Sequence, residues 1–192
     1  MRVMVINGGP RRAGNTTKVL GWLASDLADG GHEVDAVHLA DQEIRGCISC
    51  FGCKREGTGF NCILKDDGTD LLSRIKAADA TVLGAPLYFW EFPAKMKALI
   101  DRCFCLAAGY GSDEHRSALD GKALALAVTC GGPMEGNADL IVEAYQRIAA
   151  FLRADAVGEL VVTGTTHEPK DLPEDARDKT RALAEAISTR AG

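Results

Sequence analysis

Five short segments of this chain have the composition and length of β-strands, and helical segments separate them. Residues 2–6 (RVMVI), 80–86 (ATVLGAP) and 123–130 (ALALAVTC) are apolar almost throughout, which is typical of strands buried on both faces. Residues 32–39 (HEVDAVHL) alternate as a strand does, and residues 157–164 (VGELVVTG) form the fifth segment. Because parallel strands need helical crossovers, this alternation predicts a doubly wound parallel sheet with helices on both faces.

Segments with helical periodicity or helix-start signals follow the predicted strands. The helices are predicted at residues 14–29, from Asp66 or Asp67 to Ala77, from Pro93 along an apolar stripe to Phe104, at 137–153, and from Pro173 to about Thr189. No linker rich in Pro, Gly or Ser and no internal repeat interrupts them, so residues 1–192 are interpreted as a single domain. The segment 40–66 carries no predicted element, and a loop of this length in a compact domain is usually functional.

The overall composition excludes several classes of protein. The 192 residues have 46% hydrophobic content, a net charge of -5 and an isoelectric point near 5.4, which argues against broad nucleic-acid binding. No apolar run reaches the ~18 residues of a membrane helix, and residues 1–10 lack the features of a secretory signal. Seven cysteines without such a signal indicate a reducing, cytoplasmic environment, in which closely spaced thiols serve metal or redox chemistry.

The segment after the first predicted strand, NGGPRRAGNTTKVL, occupies the position where doubly wound sheets bind their ligands. Its glycines Gly8, Gly9 and Gly14 do not have the G-x-G-x-x-G spacing of a dinucleotide site. The P-loop pattern also fails, because Asn15 stands where that motif requires a lysine. The loop therefore predicts neither of these two nucleotide sites.

A cradle for a single phosphate group remains compatible with this loop. Backbone N–H groups at the start of a helix attract an anion, and Asn15, Thr16 and Thr17 add side-chain donors. Arg11 can neutralise part of the negative charge. The alternative interpretation is that Asn15 and Thr16 only cap the helix.

Three segments in combination resemble the NAD(P)H-dependent FMN reductase branch of the flavodoxin-like superfamily, and most of all its iron–sulfur flavoproteins. They are NGGPRRAGNTTKVL, GAPLYFWEFPAKMKALIDR at 84–102 and TCGGPMEGN at 129–137, each placed after the appropriate strand. The resemblance extends from residue 2 to about 165 and implies five parallel strands in the order 2-1-3-4-5. One departure is Gly9, where many relatives have a serine that contacts phosphate.

The resemblance implies an FMN cofactor, with its phosphate at the first loop and its isoalloxazine ring between the loops after the third and fourth strands. A flavin needs apolar or aromatic walls and backbone donors near its pyrimidine edge. The consecutive aromatic residues at 88–90 cannot all face one core, which favours such a wall over core packing. No side chain is needed as an acid or base, so no catalytic residue is assigned. The residues implied to bind FMN are Gly9, Arg11, Asn15, Thr16, Thr17, Pro86, Leu87, Tyr88, Phe89, Trp90, Thr129, Cys130, Gly131 and Gly132.

Four cysteines of the 40–66 loop, Cys47, Cys50, Cys53 and Cys62, have the spacing C-x2-C-x2-C-x8-C. The first three match the run that holds a [4Fe–4S] cluster in bacterial ferredoxins, whereas the fourth comes later than in that run. By resemblance to the iron–sulfur flavoproteins, these four would be the cluster ligands. Free thiols and a zinc site remain open alternatives, although zinc usually has two more widely separated C-x2-C pairs.

The other cysteines and the histidines carry weaker signals. Cys103 lies on the apolar helix stripe and is interpreted as core, whereas Cys105 has no evident partner. Cys130 ends a central strand beside the implied flavin. No recognisable metal or triad spacing relates the four histidines, which are His32, His38, His115 and His167.

The sequence predicts an FMN-dependent oxidoreductase that takes hydride from NAD(P)H and passes electrons to a small aromatic acceptor. Quinones, nitro or azo compounds and free flavin are the candidate acceptors. An electron carrier that combines FMN with a cluster and docks to ferredoxin-like proteins is one alternative, and a phosphate-ligand binding module without turnover is another. The resemblance also implies a homodimer or homotetramer in which a second copy helps to wall the site.

Overall fold

The strands of the computed structural model, which describes residues 1–57, 59–167 and 172–190, form a five-stranded parallel sheet and a short hairpin. In chain order they are β1 (Arg2–Asn7), β2 (Glu33–His38), β3 (Ala80–Pro86), β4 (Ala107–Ala108), β5 (Arg116–Ser117), β6 (Ala123–Thr129) and β7 (Asp155–Val162). The parallel sheet has the order β2-β1-β3-β6-β7, and β4 pairs with β5 in antiparallel fashion. The flavodoxin-like order is therefore confirmed, with an unpredicted hairpin inserted before β6.

The α-helices correspond to the predicted ones, with shifted ends. They are α1 (Asn15–Asp29), α2 (Asp67–Ala77), α3 (Ala94–Arg102), α4 (Asp139–Phe151) and α5 (Ala176–Thr189). The third ends before the predicted Phe104, because Cys103–Leu106 tighten into a 3-10 turn. The fourth starts after an irregular turn in which Gly136 has a φ of 69°, outside helical geometry. None of the helices in the described ranges is long and apolar enough to cross a membrane.

The predicted loop 40–66 is irregular for most of its length. It contains a 3-10 turn at Gly52–Lys54 and overlaps another at Leu39–Asp41. Thr58, within this loop, lies outside the described residues.

Different helices cover the two faces of the sheet, because alternate side chains of a strand point to opposite sides. Val3 and Val5 of β1 pack in a core that includes residues of α1 and α5. Met4 and Ile6 pack on the other face, in a core that includes residues of α2, α3 and α4. Burial on both faces explains the nearly continuous apolar sequence of the central strands.

A buried ion pair between Arg102 and Asp66 joins α3 to the start of α2. The side chain of Arg102 is fully buried and that of Asp66 is 7% exposed. The Nη1 group of Arg102 donates to both carboxylate oxygens of Asp66, at 2.6 and 2.9 Å, and Nη2 donates to Thr69 Oγ1 at 2.7 Å. Of the two predicted capping residues, Asp66 occupies the N-cap position of α2, but its side chain makes no cap hydrogen bond, because its carboxylate accepts from Arg102.

A glycine makes room for this ion pair. A Cβ on Gly68 would lie 2.3 Å from Arg102 Nη1 and 2.9 Å from its Cζ. Glycine inside a helix is less favourable than alanine by roughly 0.5–1 kcal/mol. At Gly68, the guanidinium of Arg102 lies too close to leave room for a side chain, which explains why the less favourable residue is present.

We expect Asp66→Asn to lower the free energy of unfolding by about 3–5 kcal/mol at neutral pH, because it leaves the charge of Arg102 buried and uncompensated. Urea denaturation of wild type and variant measures the difference. Asp120→Asn is the matched control, since Asp120 pairs with Arg153 where both side chains are about half exposed. That pair is worth less than about 1 kcal/mol.

The stability that Asp66→Asn loses should also depend on pH. Burial alone would raise the pKa of Asp66, but hydrogen bonds from the Arg45 backbone and from Arg102 hold it below its ordinary value of 3.8. A carboxyl group with a lowered pKa stabilises the fold above its unfolded-state pKa, and this contribution disappears as the pH falls through the folded-state pKa. The difference in the free energy of unfolding between wild type and Asp66→Asn should therefore become smaller as the pH falls into the acid range. A pH-independent gap, or one no larger than that of Asp120→Asn, would contradict this account of the ion pair.

Candidate functional site

A cavity of about 170 Å³ lies at the carboxyl ends of the parallel strands. The loops that follow β1, β3, β6 and β7 all contribute to its walls. The lining residues are Gly9, Pro10, Arg11, Gly14, Asn15, Thr16, Pro86, Leu87, Tyr88, Thr129, Cys130, Gly131, Thr165 and Thr166. Most of the residues predicted to bind a cofactor are thus brought together around one space, which runs from the start of α1 to the loop after β3.

Four of the predicted residues do not line this cavity. The hydroxyl of Thr17 donates to the carbonyl oxygen of Arg11 at 2.9 Å and accepts from the side chain of Asn7 at 2.8 Å, so it stabilises the loop from within. The side chain of Phe89 is 91% exposed and that of Trp90 is 48% exposed. The remaining residue is Gly132, where a Cβ would lie 2.8 Å from the side chain of Asn137.

The first loop is held in shape from two sides. The side-chain oxygen of Asn7 accepts from the backbone N–H of Gly9 at 2.9 Å, and His38 Nε2 lies 2.6 Å from the carbonyl oxygen of Gly9. A Cβ on Gly9 would lie 3.0 Å from Asn7 Oδ1, which is tighter than most such contacts. The Asn7 contact therefore gives a physical reason for glycine at the position where many relatives have serine.

The polar end of the cavity is built at the start of α1. Gly14 occupies the N-cap position without a side-chain cap, and the amide of Asn15 donates to the carbonyl oxygen of Thr166 at 2.7 Å. Thr16 Oγ1 lies 2.7 Å from Thr129 Oγ1, which joins the first loop to the end of β6. These contacts do not support the interpretation that Asn15 and Thr16 only cap the helix.

Three features at this end are suited to an anionic, hydroxyl-bearing ligand. The first N–H groups of a helix have no acceptor within the helix, and the positive end of the α1 dipole lies here. Arg11 adds a cation, whose Nη1 donates to the carbonyl oxygen of His167 at 2.7 Å. Asn15 is 3% exposed, and its Oδ1 is buried with no hydrogen-bond partner among the described residues. A ligand hydroxyl would satisfy this acceptor.

The loop after β7 was missed by the sequence analysis. Thr165 and Thr166 line the cavity, and the backbone N–H of Thr165 donates to the carbonyl oxygen of Cys130 at 2.9 Å. Gly164, with a φ of 69°, turns the chain between β7 and these residues. The signal was available, because the fifth strand of a parallel sheet also ends at the ligand-binding edge.

A second cavity, of about 60 Å³, is lined by five cysteines. Its lining consists of Cys47, Ile48, Ser49, Cys50, Phe51, Cys53, Cys62, Ile63, Leu64, Arg102, Phe104 and Cys105. Cys47 and Cys50 are exposed, Cys53 and Cys62 are half-buried, and Cys105 is buried. All four cysteines of the predicted motif therefore share one cavity, together with Cys105, for which the sequence indicated no partner.

Two cations accompany these thiols. Lys54 Nζ donates to the carbonyl oxygens of Phe104 and Ala107 and lies 3.8 Å from the centre of the Phe104 ring. The guanidinium of Arg102 lies beside the Cys62 thiol. Burial lowers the pKa of Lys54, which is not itself part of the cavity lining.

Two of these thiols, Cys53 and Cys105, lie in an environment that favours their neutral form. Burial raises the pKa of Cys53, and burial with the nearby Cys62 and Cys53 raises the pKa of Cys105 to about 12. Within residues 1–57, 59–167 and 172–190, no three His, Cys, Asp or Glu side chains form a group that could hold a metal ion. Five thiols line this one cavity, and four thiols are the donor set that a [4Fe–4S] cluster takes.

The profile of the family described as NADPH-dependent FMN reductase matches residues 1–168. An iron–sulfur flavoprotein of Methanocaldococcus jannaschii is 39% identical over 110 residues, covering 57% of this chain and 55% of that protein. An iron–sulfur flavoprotein of Archaeoglobus fulgidus is 32% identical over 165 residues, covering 86% of this chain and 78% of that protein. The chain spans about half the length of the first curated relatives that it matches.

Solved structures show the same fold. An FMN-dependent NADH-azoreductase of Bacillus anthracis in complex with FMN aligns with a TM-score of 0.76 and 15% identity, over 98% of this chain and all of that one. An NAD(P)H:quinone oxidoreductase of Methanothermobacter marburgensis aligns with a TM-score of 0.73 and 18% identity, over 100% of this chain and 99% of that one. At these identities the likeness establishes the fold alone. By its sequence match, the chain belongs to the NADPH-dependent FMN reductase family, and iron–sulfur flavoproteins are among its curated relatives.

Proposed function

We propose that the cavity at the carboxyl ends of the strands binds FMN, and that the protein is an oxidoreductase passing electrons from NAD(P)H to a small aromatic acceptor. The observation that carries this proposal is the polarity of the cavity. An anion-binding helix start lies at one end, and an apolar strand-end loop, Pro86–Tyr88, lies at the other. FMN has the matching division into a phosphate and a flat ring.

The phosphate is assigned to the first loop. Arg11 and the N–H groups at the start of α1 would bind its charge, with Thr16 and Asn15 as side-chain partners. The side chains of Arg11 and Asn15 donate to carbonyl oxygens of the loop after β7. Those hydrogen bonds hold both side chains at the cavity wall. The orphaned oxygen of Asn15 is suited to a hydroxyl of the ribityl chain.

The ring is assigned to the space between Pro86–Tyr88 and Thr129–Gly131. When bound there, FMN would supply the hydride-transfer and electron-transfer chemistry of the reaction. The chain orients the ring and supplies backbone groups close to it, since Gly131 has no side chain to keep the ring away. Burial raises the pKa of Cys130, so this thiol stays neutral and places no negative charge beside the ring. No side chain is assigned as a proton donor or acceptor.

The electron donor, NAD(P)H, and the aromatic electron acceptor are assigned to the open side of the flavin ring. The exposed aromatic side chains of Tyr88, Phe89 and Trp90 follow directly on the cavity wall and favour flat partners such as nicotinamides, quinones, and nitro or azo compounds. The names of an azoreductase and a quinone oxidoreductase among the proteins of the same fold agree with this class. Such exposed aromatics also suit contact with a second copy, so a homodimer or homotetramer is part of the proposal.

The double variant Asn15→Ala, Thr16→Ala should weaken FMN binding strongly. Each lost hydrogen bond to a charged group costs about 1.5–3 kcal/mol, or roughly 10- to 150-fold in affinity. Titration of the apoprotein with FMN, followed by flavin fluorescence, gives the dissociation constants. Thr189→Ala is the matched control, because its hydroxyl donates only within the end of α5. Unchanged FMN affinity in the double variant, with the control at the wild-type value, would show that the phosphate lies elsewhere.

A second candidate function is an electron carrier in which FMN works with a [4Fe–4S] cluster. It is favoured by the shared cavity of Cys47, Cys50, Cys53 and Cys62, four thiols being the donor set of a cubane. The curated relatives named iron–sulfur flavoproteins agree with this composition. A cluster transfers electrons singly, so a ferredoxin-like protein would be a fitting partner.

Iron content decides whether the four cysteines hold a [4Fe–4S] cluster or are thiols that carry no metal. Anaerobically prepared wild type should contain about four irons per chain, and Cys62→Ala should lose the iron and the broad visible absorption. FMN should remain bound, because the cysteine cavity and the strand-end cavity are lined by different residues. Cys103→Ala is the control, since Cys103 is buried in the core and does not line the cysteine cavity. Wild-type protein that stays iron-free after anaerobic reconstitution would contradict the cluster candidate.

A further inference from the structure

Arg102 has one hydrogen-bond donor that the fold does not use. Its Nη1 and Nη2 groups are taken by Asp66, Thr69 and the carbonyl oxygen of Arg45. Its Nε is buried and has no hydrogen-bond partner in the part of the chain that the structure describes. A buried donor without an acceptor costs about 1–3 kcal/mol, so its persistence in a native fold calls for a partner.

The position of the guanidinium identifies that partner. Arg102 lines the cysteine cavity, and its guanidinium lies beside the thiol of Cys62. Asp66 and Thr69 fix the far side of the group, and the absent side chain of Gly68 leaves the space that the group fills. The side chain is therefore held in place by Asp66 and Thr69, in the wall of the cavity that Cys62 also lines.

Cys62 is the member of the motif that most needs an additional constraint. Cys47, Cys50 and Cys53 lie within one short run, whereas Cys62 comes after eight further residues. A loop of that length leaves the position of its cysteine weakly determined by the chain alone. Outer hydrogen bonds of this kind orient ligands and adjust the properties of metal centres.

We propose that Arg102 is a positioning residue of the cysteine site, whose Nε–H donates to the sulfur of Cys62 when that sulfur is a thiolate bound to a metal cluster. The inference rests on the cluster candidate above. The hydrogen bond fixes the late cysteine against α3, and the positive charge offsets part of the negative charge that four thiolates bring. Asp66 keeps the guanidinium charged and oriented before the cluster is assembled.

Two variants test this from opposite directions. Arg102→Lys keeps a positive charge but loses the planar guanidinium, which can donate to Asp66, Thr69 and Cys62 at the same time. Gly68→Ala keeps the arginine but places a methyl group where its guanidinium lies, 2.3 Å from Nη1, so the group must shift. Arg45→Gln is the matched control, because Arg45 also faces Asp66, at 3.6 Å, but its side chain is 64% exposed and does not line the cavity.

The measurements are the rate of cluster loss to an iron chelator, the reduction potential of the cluster and the FMN content. In Arg102→Lys and Gly68→Ala we expect cluster retention to fall by about 10- to 100-fold. The reduction potential should become more negative, because a donor to a cluster sulfur is lost. FMN content should match wild type, which shows that the fold is intact. Arg45→Gln should behave as wild type in all three measurements.

Two results would overturn the proposal in distinguishable ways. If wild type takes up iron but both variants retain wild-type cluster lifetime and potential, Arg102 does not position Cys62. If wild type takes up no iron, the cluster candidate fails and this role fails with it. Should Arg102→Lys not fold, Gly68→Ala alone decides, because alanine is a better helix former than glycine and leaves both charges in place.

Discussion

The parallel register of the central strands determines where every functional loop begins. Asn7, at the end of β1, is paired with His38 on one side and with Gly84 on the other, and Pro86 of β3 is paired with Thr129 of β6. The loops that leave these strands therefore start at nearly the same height on one edge of the sheet. Contacts between them, such as those of His38 with Gly9 and Thr16 with Thr129, follow from this register.

Much of the fold could be predicted from the sequence, because burial on both faces leaves a continuous apolar signature in each central strand. The hairpin of β4 and β5 could not, since each strand has only two residues and no periodicity. At the site, Thr17 looks like a ligand contact in the sequence, but its hydroxyl is spent within the loop. Side-chain direction of this kind depends on tertiary contacts that local pattern does not contain.

Other features of the two cavities could not be predicted for the same reason, because they depend on tertiary contacts. Phe89 and Trp90 were placed in the cavity wall, yet both have positive φ values, 48° and 64°, and are largely or half exposed. Cys105 gave no signal, because its neighbours Cys53 and Cys62 are distant in sequence. Arg102 looked like an ordinary charged residue at a helix end, and only the packing of α3 beneath α2 shows that it is fully buried.

The two cavities differ in character, and α3 lies between their lining segments in the chain. The strand-end cavity is polar at one end and apolar at the other, whereas the cysteine cavity is an apolar space beside a fixed cation. The helix α3 begins just after the loop that walls the first cavity and ends at Arg102, in the wall of the second. Its nine residues span about 13 Å.

The assignment of the strand-end cavity to FMN depends on recognition of a phosphate group at the start of α1. Riboflavin has the same ring and ribityl chain as FMN and lacks only the phosphate. Titration of the apoprotein with each flavin therefore isolates this contact. With the phosphate bound by Arg11, Thr16 and the helix start, FMN should bind at least roughly 100-fold more tightly than riboflavin. Comparable affinities for the two flavins would contradict the assignment.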